Sequence, residues 1–466
     1  MMARIRTNSD LPLALDRDAP IPLHRQIEVG IRDAIRAGRL RRGFVLPPTR
    51  TLAADLGVSR GVVVEAYQQL TAEGYVTGRT GGTTQVAIEP AGPDPGGRPV
   101  APRPAPRIDM SYGRADVSSF PRTAWMRAIR AALADAPNEA FGYPSGRGVA
   151  ALRIAIADYL NRVRGTDADP DRVVICTGYA QGIALLLRVL AASGAVRLAV
   201  EDPSSNDDAV PVARAQGLEV VGIPVDQDGI RVDLLRESGA DAVILTPSHQ
   251  WPTGAVLSAE NRAAVLEWAA SRGALIVEDD YDAEYRYDRA SVGALQGLAP
   301  EHVAYAGSAS KILAPGLRLG WFIVPNRLVD PLAAAKIAAD RGSPALEQLA
   351  LADLITRGEL DRHLRRMRPV YRRRRDALLA ALARRLPEIR PVGVSAGLHV
   401  AAWLPDALTE SQVVEAAARH GLRVEGIRGY RLGNPGPEGL IFGYATLGEQ
   451  TLAECVDILA AAIAEI

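Results

Sequence analysis

Lysine is almost absent from this 466-residue chain, in which Lys311 and Lys336 stand against fifty-two arginines. A guanidinium serves wherever a permanent positive charge suffices. A retained lysine therefore points to chemistry that needs an amine able to lose its proton and attack an aldehyde. Cysteine is as sparse: Cys176 and Cys455 are too few and too far apart for a disulfide framework. The six histidines show no metal-ligand spacing, so no metal is expected, and His249 reads as a loop hydrogen-bonding residue. No uninterrupted apolar run approaches the roughly eighteen residues of a membrane span, and the N-terminus lacks a signal-peptide pattern. The expectation is a cytoplasmic protein without a membrane partner, long enough for two or three domains.

Lys336 lies in an Ala-rich helical stretch and reads as a surface residue. Lys311 has informative neighbours. The apolar run Leu275-Ile276-Val277 ends in Glu278-Asp279-Asp280-Tyr281, as a buried strand delivering polar groups at its carboxyl end would. A second run, His302 to Tyr305, leads into Gly307-Ser308-Ala309-Ser310-Lys311, and Arg318 follows in Gly316-Leu317-Arg318-Leu319-Gly320. Pyridoxal 5′-phosphate requires such a set: a lysine for its aldehyde, a carboxylate for its ring nitrogen, a donor for its phenolic oxygen, and an arginine with hydroxyls for its phosphate. Further upstream, Val173-Val174-Ile175 reads as a strand, Gly178 permits a turn, and Ile183 to Leu190 reads as a helix whose free N–H groups attract phosphate.

With these motifs, residues 108–466 resemble the fold-type I aminotransferases. The resemblance implies an α/β domain with a mostly parallel central sheet and Lys311 as the Schiff-base residue. It implies Asp279 and Tyr281 at the cofactor ring, and Ser308, Ser310 and Arg318 at its phosphate. Tyr179, Ala180 and Gln181, within Thr177-Gly178-Tyr179-Ala180-Gln181, match the phosphate-cradling turn. Thr246 to Gly254 matches the loop before a cofactor-domain helix, here expected over Leu257 to Ala270.

The first 88 residues differ in character. Twelve Arg against eight Asp plus Glu give +4, leaving −4 for the remainder of a chain that sums to zero. Ile27 to Ala37 reads as an amphipathic helix. Pro47-Pro48 precedes a second helix, Thr49 to Asp55, which Gly57 ends. Ser59 is a suitable N-cap for a third helix, Arg60 to Ala72, with Val62, Val63, Ala66, Tyr67 and Leu70 on its apolar side. Tyr75-Val76-Thr77 and Thr84-Gln85-Val86-Ala87 flank a glycine-rich tip, which completes a winged helix-turn-helix over 12–88. The stretches Leu46-Pro47-Pro48-Thr49-Arg50, Leu56-Gly57-Val58-Ser59-Arg60, Ala66-Tyr67-Gln68-Gln69-Leu70 and Glu73-Gly74-Tyr75 resemble GntR-type DNA-binding domains. That resemblance implies contact with double-stranded operator DNA through Arg50, Ser59, Arg60, Tyr67 and Arg79 of the wing. Gly61 and Val62 stand where that family commonly carries hydroxyl residues.

Residues 89–107 hold seven prolines and no periodic apolar face, and read as a linker. The whole architecture resembles the MocR/GabR regulators. It implies a cytoplasmic, head-to-tail homodimeric transcriptional regulator that holds pyridoxal phosphate and senses an amino compound or the cofactor itself. The alternative is an active aminotransferase carrying a DNA-binding domain. Amino-acid transamination needs an arginine clamp on the substrate carboxylate. Leu440 to Tyr444, where that arginine is expected, contains none; Arg428 and Arg431 are the nearest, and Asn206-Asp207 supplies none. At most weak turnover is therefore expected. A helix beginning near Val370 carries the dense run Arg372 to Arg375, which reads as a solvated face or a DNA-facing surface.

Overall fold

The computed structural model describes residues 11, 13–78, 83–88, 106–204, 208–287 and 292–466. The expected wing residue Arg79 and nearly all of the expected linker at 89–107 lie outside them. The chain forms two compact units, Met1–Pro104 and Ala105–Ile466.

In the first unit, helices Leu23–Arg36, Thr49–Leu56 and Arg60–Ala72 precede strands Val76–Thr77 and Gln85–Val86, which pair antiparallel with Val76 opposite Val86. The first helix starts a turn before the expected Ile27. Pro22, with φ fixed at −55°, launches it upstream of the apolar stripe, whose buried members are Ile27, Ile31, Ala34 and Ile35. Gly57 ends the second helix at φ 62°, a left-handed conformation that glycine adopts without a Cβ clash. Ile31, Leu52, Val63, Leu70, Val76 and Val86 share one core.

The second unit is built on an eight-stranded sheet in the order Val173–Cys176, Gly320–Ile323, Val303–Ser308, Leu275–Asp279, Ala242–Leu245, Arg197–Asp202, Glu219–Asp226, Gly229–Ile230. The run from Val303–Ser308 to Glu219–Asp226 is parallel; Gly320–Ile323 is antiparallel to both of its neighbours, and Gly229–Ile230 pairs antiparallel at the edge. The strands read as apolar runs because helices cover both faces. Contact is close where the Tyr179–Ala192 helix crosses the sheet: a Cβ on Gly182 would lie 2.0 Å from the Phe322 ring. A second, four-stranded antiparallel sheet contains His399–Trp403 and Gly439–Gly443.

Two expectations are corrected here. The helix expected near Val370 runs over Glu359–Arg385 with Pro369 inside it. Proline removes one backbone donor, yet Leu360, Leu364, Met367, Tyr371 and Leu378 keep one face buried through the site, and that packing carries the helix across. Its basic run divides: Arg374 and Arg375 are largely buried, with Arg374 on Asp116 at 2.9 Å and Arg375 at 3.6 Å from Asp376, whereas Arg372 and Arg373 are 62% and 59% exposed beside Asp376 at 3.8 Å and Glu449 at 3.3 Å, as on a solvated face. Lys336, expected at the surface, is fully buried and pairs with Asp340 at 2.6 Å. Among the described residues no helix is long and apolar enough to cross a membrane.

Candidate functional site

At the carboxyl ends of the parallel strands lies a cavity of about 190 Å³, the position at which open α/β sheets bind ligands. Eight of the nine expected residues line it: Tyr179, Ala180, Asp279, Tyr281, Ser308, Ser310, Lys311 and Arg318. Asp279 arrives at the end of its strand, and Lys311 in the short helix Ala309–Ile312 that follows Ser308. Gln181 does not line the cavity. Its side chain turns back, accepting from the Thr177 amide at 2.9 Å and donating to Asp340 at 2.7 Å.

The helix opposite Lys311 begins at Tyr179 rather than at the expected Ile183, because Gly178 takes φ 96° and turns the chain directly into it. The amides of Tyr179, Ala180 and Gln181 fall in the first turn, where no helical carbonyl is available to them, so they form an anion cradle. Arg318 closes that cradle: held at φ 52°, it donates to the Thr177 carbonyl at 2.6 Å. The φ of 96° is what requires glycine at 178, and a Cβ there would also come within 3.2 Å of the Arg318 guanidinium.

Lys311 donates from Nζ to the Gly113 carbonyl at 2.8 Å and lies 5.2 Å from the centre of the Tyr112 ring. Burial lowers its pKa, against the opposing pull of Asp282, Asp279 and Asp208. Burial, reinforced by Asp280, holds the Asp279 carboxyl well above the usual carboxylate range, while Lys311 acts against the shift. Tyr281 donates to the His249 carbonyl at 2.9 Å, and its hydroxyl lies 3.1 Å from His249 Nδ1. That ring nitrogen is 3.0 Å from Asp282, so His249 is the hydrogen-bonding residue that anchors Tyr281. His249, Asp282 and His399 bring ligand-type atoms within 4.8 Å of one another, the one group among the described residues with the composition of a metal site. Spacing along the chain concealed it, since His399 comes from the second sheet.

Sequence reasoning missed Tyr112, which stacks at 3.7 Å on Trp251 and lines the cavity beside Lys311. Nothing local marks it, because it follows a two-residue strand, Ile108–Asp109. Trp251 stood in a recognised loop but carried no assigned role. Neither arginine considered as a clamp reaches the cavity: Arg428 pairs with Glu438, and Arg431 donates to the Pro437 carbonyl at 3.1 Å.

In the first unit, Arg50, Ser59 and Arg60 are exposed at the starts of the second and third helices. Ser59 occupies the N-cap position, but its hydroxyl makes no capping bond. Tyr67, expected at DNA, has a structural role in this unit. Its ring is buried in the helical core and its hydroxyl donates to the Pro47 carbonyl at 2.9 Å, so it ties the turn before the second helix to the third.

A helix-turn-helix unit joined in one chain to an aminotransferase fold defines a class of DNA-binding regulators with an enzyme-like effector domain. Residues 108–459 match the family described as aminotransferase class I and II, and residues 23–86 match the bacterial regulatory proteins of the gntR family. The chain is 33% identical to a probable rhizopine catabolism regulatory protein, MocR, of Rhizobium meliloti, covering 97% of this chain and 95% of the other. It is 34% identical to the HTH-type pyridoxine biosynthesis transcriptional regulator PdxR of Corynebacterium glutamicum, with 95% and 96% covered. Among solved structures, the α-aminoadipate aminotransferase LysN of Thermus thermophilus, complexed with a phosphopyridoxyl-leucine, superposes with a TM-score of 0.68 at 28% identity, over 77% of this chain and 92% of that one. The chain belongs to the HTH-type transcriptional regulators that combine a gntR-type domain with an aminotransferase class I and II domain. Its cofactor is pyridoxal phosphate.

Proposed function

We propose that the cavity holds pyridoxal phosphate on Lys311 and that its occupancy by an amine, or by the cofactor itself, is the signal that resets DNA binding. The observation that carries this reading is the opposition, within one cavity, of a desolvated amine at Lys311 and an anion cradle of the helix start at Tyr179 and Ala180, Arg318, Ser308 and Ser310. The donor set fits the cofactor: Asp279 offers a carboxyl to the ring nitrogen, and the Tyr281 hydroxyl a donor to the phenolic oxygen. When bound, pyridoxal phosphate supplies an aldehyde that one amine can take over from another.

The chain's own groups do the rest. Burial leaves the Lys311 amine readily neutral and able to hold the aldehyde. Once displaced, Nζ can take up a proton and sit among Asp279, Asp282 and Asp208. An effector shifts a regulator only as far as its affinities for the two states differ, and release of Lys311 from the cofactor is such a difference. The reading places Arg50 and the Ser59–Arg60 helix start at operator DNA, and takes the active species to be a head-to-tail homodimer. With Arg428 and Arg431 engaged elsewhere, effectors without a carboxylate, or pyridoxal phosphate as the signal for its own synthesis, fit best; the likeness to a pyridoxine biosynthesis regulator supports the latter.

The test is a visible spectrum paired with operator titration. The holo-protein should show the band of lysine-bound cofactor, and Lys311→Ala should lose both that band and the effector response while the isolated N-terminal unit binds DNA unchanged. A wild-type protein that cannot be loaded with pyridoxal phosphate refutes the reading. Steady transfer to a 2-oxo acid at about 1 to 1000 per second would establish an aminotransferase instead.

A further inference from the structure

The second lysine of this lysine-poor chain has no part in the proposed chemistry, yet it is the more completely buried of the two. Lys336 Nζ reaches Asp340 Oδ2 at 2.6 Å. The same carboxylate oxygen accepts from Gln181 Nε2 at 2.7 Å, and the other oxygen accepts from the Gly342 amide at 2.8 Å. With its NH2 end fixed on Asp340, the Gln181 amide must point its oxygen the other way, towards the Thr177 amide 2.9 Å away. The Thr177 carbonyl is in turn held by Arg318 at 2.6 Å. Both polar groups of one residue in the phosphate turn are thus fixed, one by Arg318 and the other by a chain that ends at Lys336.

Burial raises the pKa of Asp340, but the bonds from Lys336, Gln181 and the Gly342 amide outweigh it and hold the carboxylate ionised, each partner standing where it would be disfavoured without the other. Asp340 ends the helix Asn326–Asp340, where the helix dipole disfavours a negative charge. A fully buried ammonium carries a desolvation cost that an apolar side chain of similar volume would avoid. The Gln181 reach-back resembles a capping box, in which the third helical residue accepts from the backbone just before the helix. Here it accepts one residue further back, from Thr177, and so holds the Gly178 turn from which Tyr179 and Ala180, both lining the cavity, start the helix.

We infer that Lys336 and Asp340 are positioning residues that, through Gln181, lock the Thr177–Tyr179 turn and make the site select a phosphorylated pyridoxal over its dephosphorylated form. The inference rests on the proposed cofactor site. Lys311, Asp279 and Tyr281 would hold the ring of either ligand; the locked turn serves only the phosphate.

The experiment titrates full-length apo-protein with pyridoxal phosphate and with pyridoxal, following visible absorption. In Lys336→Met, Asp340→Asn and Gln181→Leu the preference for the phosphorylated ligand should fall by about tenfold or more, the scale of one lost hydrogen bond to a charged group. Pyridoxal affinity should stay within about twofold of wild type, a change too small to signal a lost hydrogen bond. Gln181→Leu alters a partly buried side chain and keeps the test readable where Lys336→Met fails to fold. Wild type that binds pyridoxal phosphate, with variants that keep its preference or lose both ligands equally, overturns this inference alone. Wild type that binds neither ligand overturns the cofactor site and this inference together.

Discussion

Arg164 offers the sharpest test of how the site is supported from behind. Its Nε lies 2.6 Å from Asp280 Oδ2, Nη1 donates to the Val292 carbonyl at 2.8 Å and Nη2 to Ser248 Oγ at 2.8 Å. Both partners of the ion pair are sealed, with side-chain exposures of 1% and 2%. Tyr305 donates to the same Asp280 oxygen at 2.7 Å, so the carboxylate is placed by two elements of the core. Truncating one partner of such a pair strands the other charge in a low dielectric, at about 3–5 kcal/mol. Replacing both partners with neutral groups of similar volume removes the charges together, so it should cost far less. Arg164→Met should therefore destabilise the second unit by about 3–5 kcal/mol in urea unfolding, and Arg164→Met with Asp280→Asn should recover most of that loss.

A second readout links this pair to function. Asp280 is the largest charge contribution to the raised pKa of Asp279. Without Arg164 beside it, an ionised Asp280 should push Asp279 further towards its neutral form and weaken its hold on a ring cation. Pyridoxal phosphate affinity should fall in the single variant and return in the double. A loss below about 1 kcal/mol in Arg164→Met, or a double variant no more stable than the single, would refute the account.

Glu201 is buried and accepts from the Thr246 amide at 3.0 Å and its hydroxyl at 2.6 Å, yet burial still pushes its pKa from 4.5 to about 7. The folded state thus favours its protonated form: the associated stability is present below pH 4.5 and lost as pH rises through about 7, amounting to about 3 kcal/mol. Glu201→Gln should flatten the stability profile across that window, which unfolding at pH 5 and pH 8 would show. Tyr67→Phe should cost the first unit about 1 kcal/mol through the lost bond to Pro47 and leave operator specificity intact; relaxed specificity in footprinting would restore Tyr67 to the DNA face. Arg60→Ala should weaken operator binding by about 1–3 kcal/mol and relax one position, whereas equal weakening on all sequences with a salt slope lower by about one would make Arg60 a phosphate contact.

Much of the site was legible because its chemistry is local. Asp279 and Tyr281 are two residues apart at a strand end, Ser308, Ser310 and Lys311 lie within four positions, and each fragment carries its own turn signal. The supporting structure was not legible for the opposite reason. Gln181 and Asp340 are 159 positions apart, Arg164 and Asp280 are 116 apart, and His249 meets His399 across two sheets. Composition gave no warning either: an Ala-rich helix is as compatible with a solvated lysine as with Lys336 buried on Asp340, and only tertiary packing decides between them. The Pro369 helix shows the same limit, since the local rule ends a helix there while the buried face on both sides continues it.

The distribution of charge separates the tasks of the two units. Residues 1–88 carry +4 and the remainder −4, and counterion release makes net positive charge the source of sequence-independent DNA affinity. The one dense basic run in the second unit, Arg372 to Arg375, is engaged by Asp116, Asp376 and Glu449. Arg374 braces the long helix on Asp116, while Arg372 and Arg373 stay exposed beside carboxylates that offset their charge. On the proposed reading, operator affinity rests on the first unit, where Arg50 and Arg60 stand exposed at helix starts, and the second unit would act through what it binds in its cavity. Such a division suits a regulator. A sensing domain with its own strong attraction to DNA would hold the complex together in both effector states and dilute the difference between them, whereas a near-neutral one leaves that difference to the ligand.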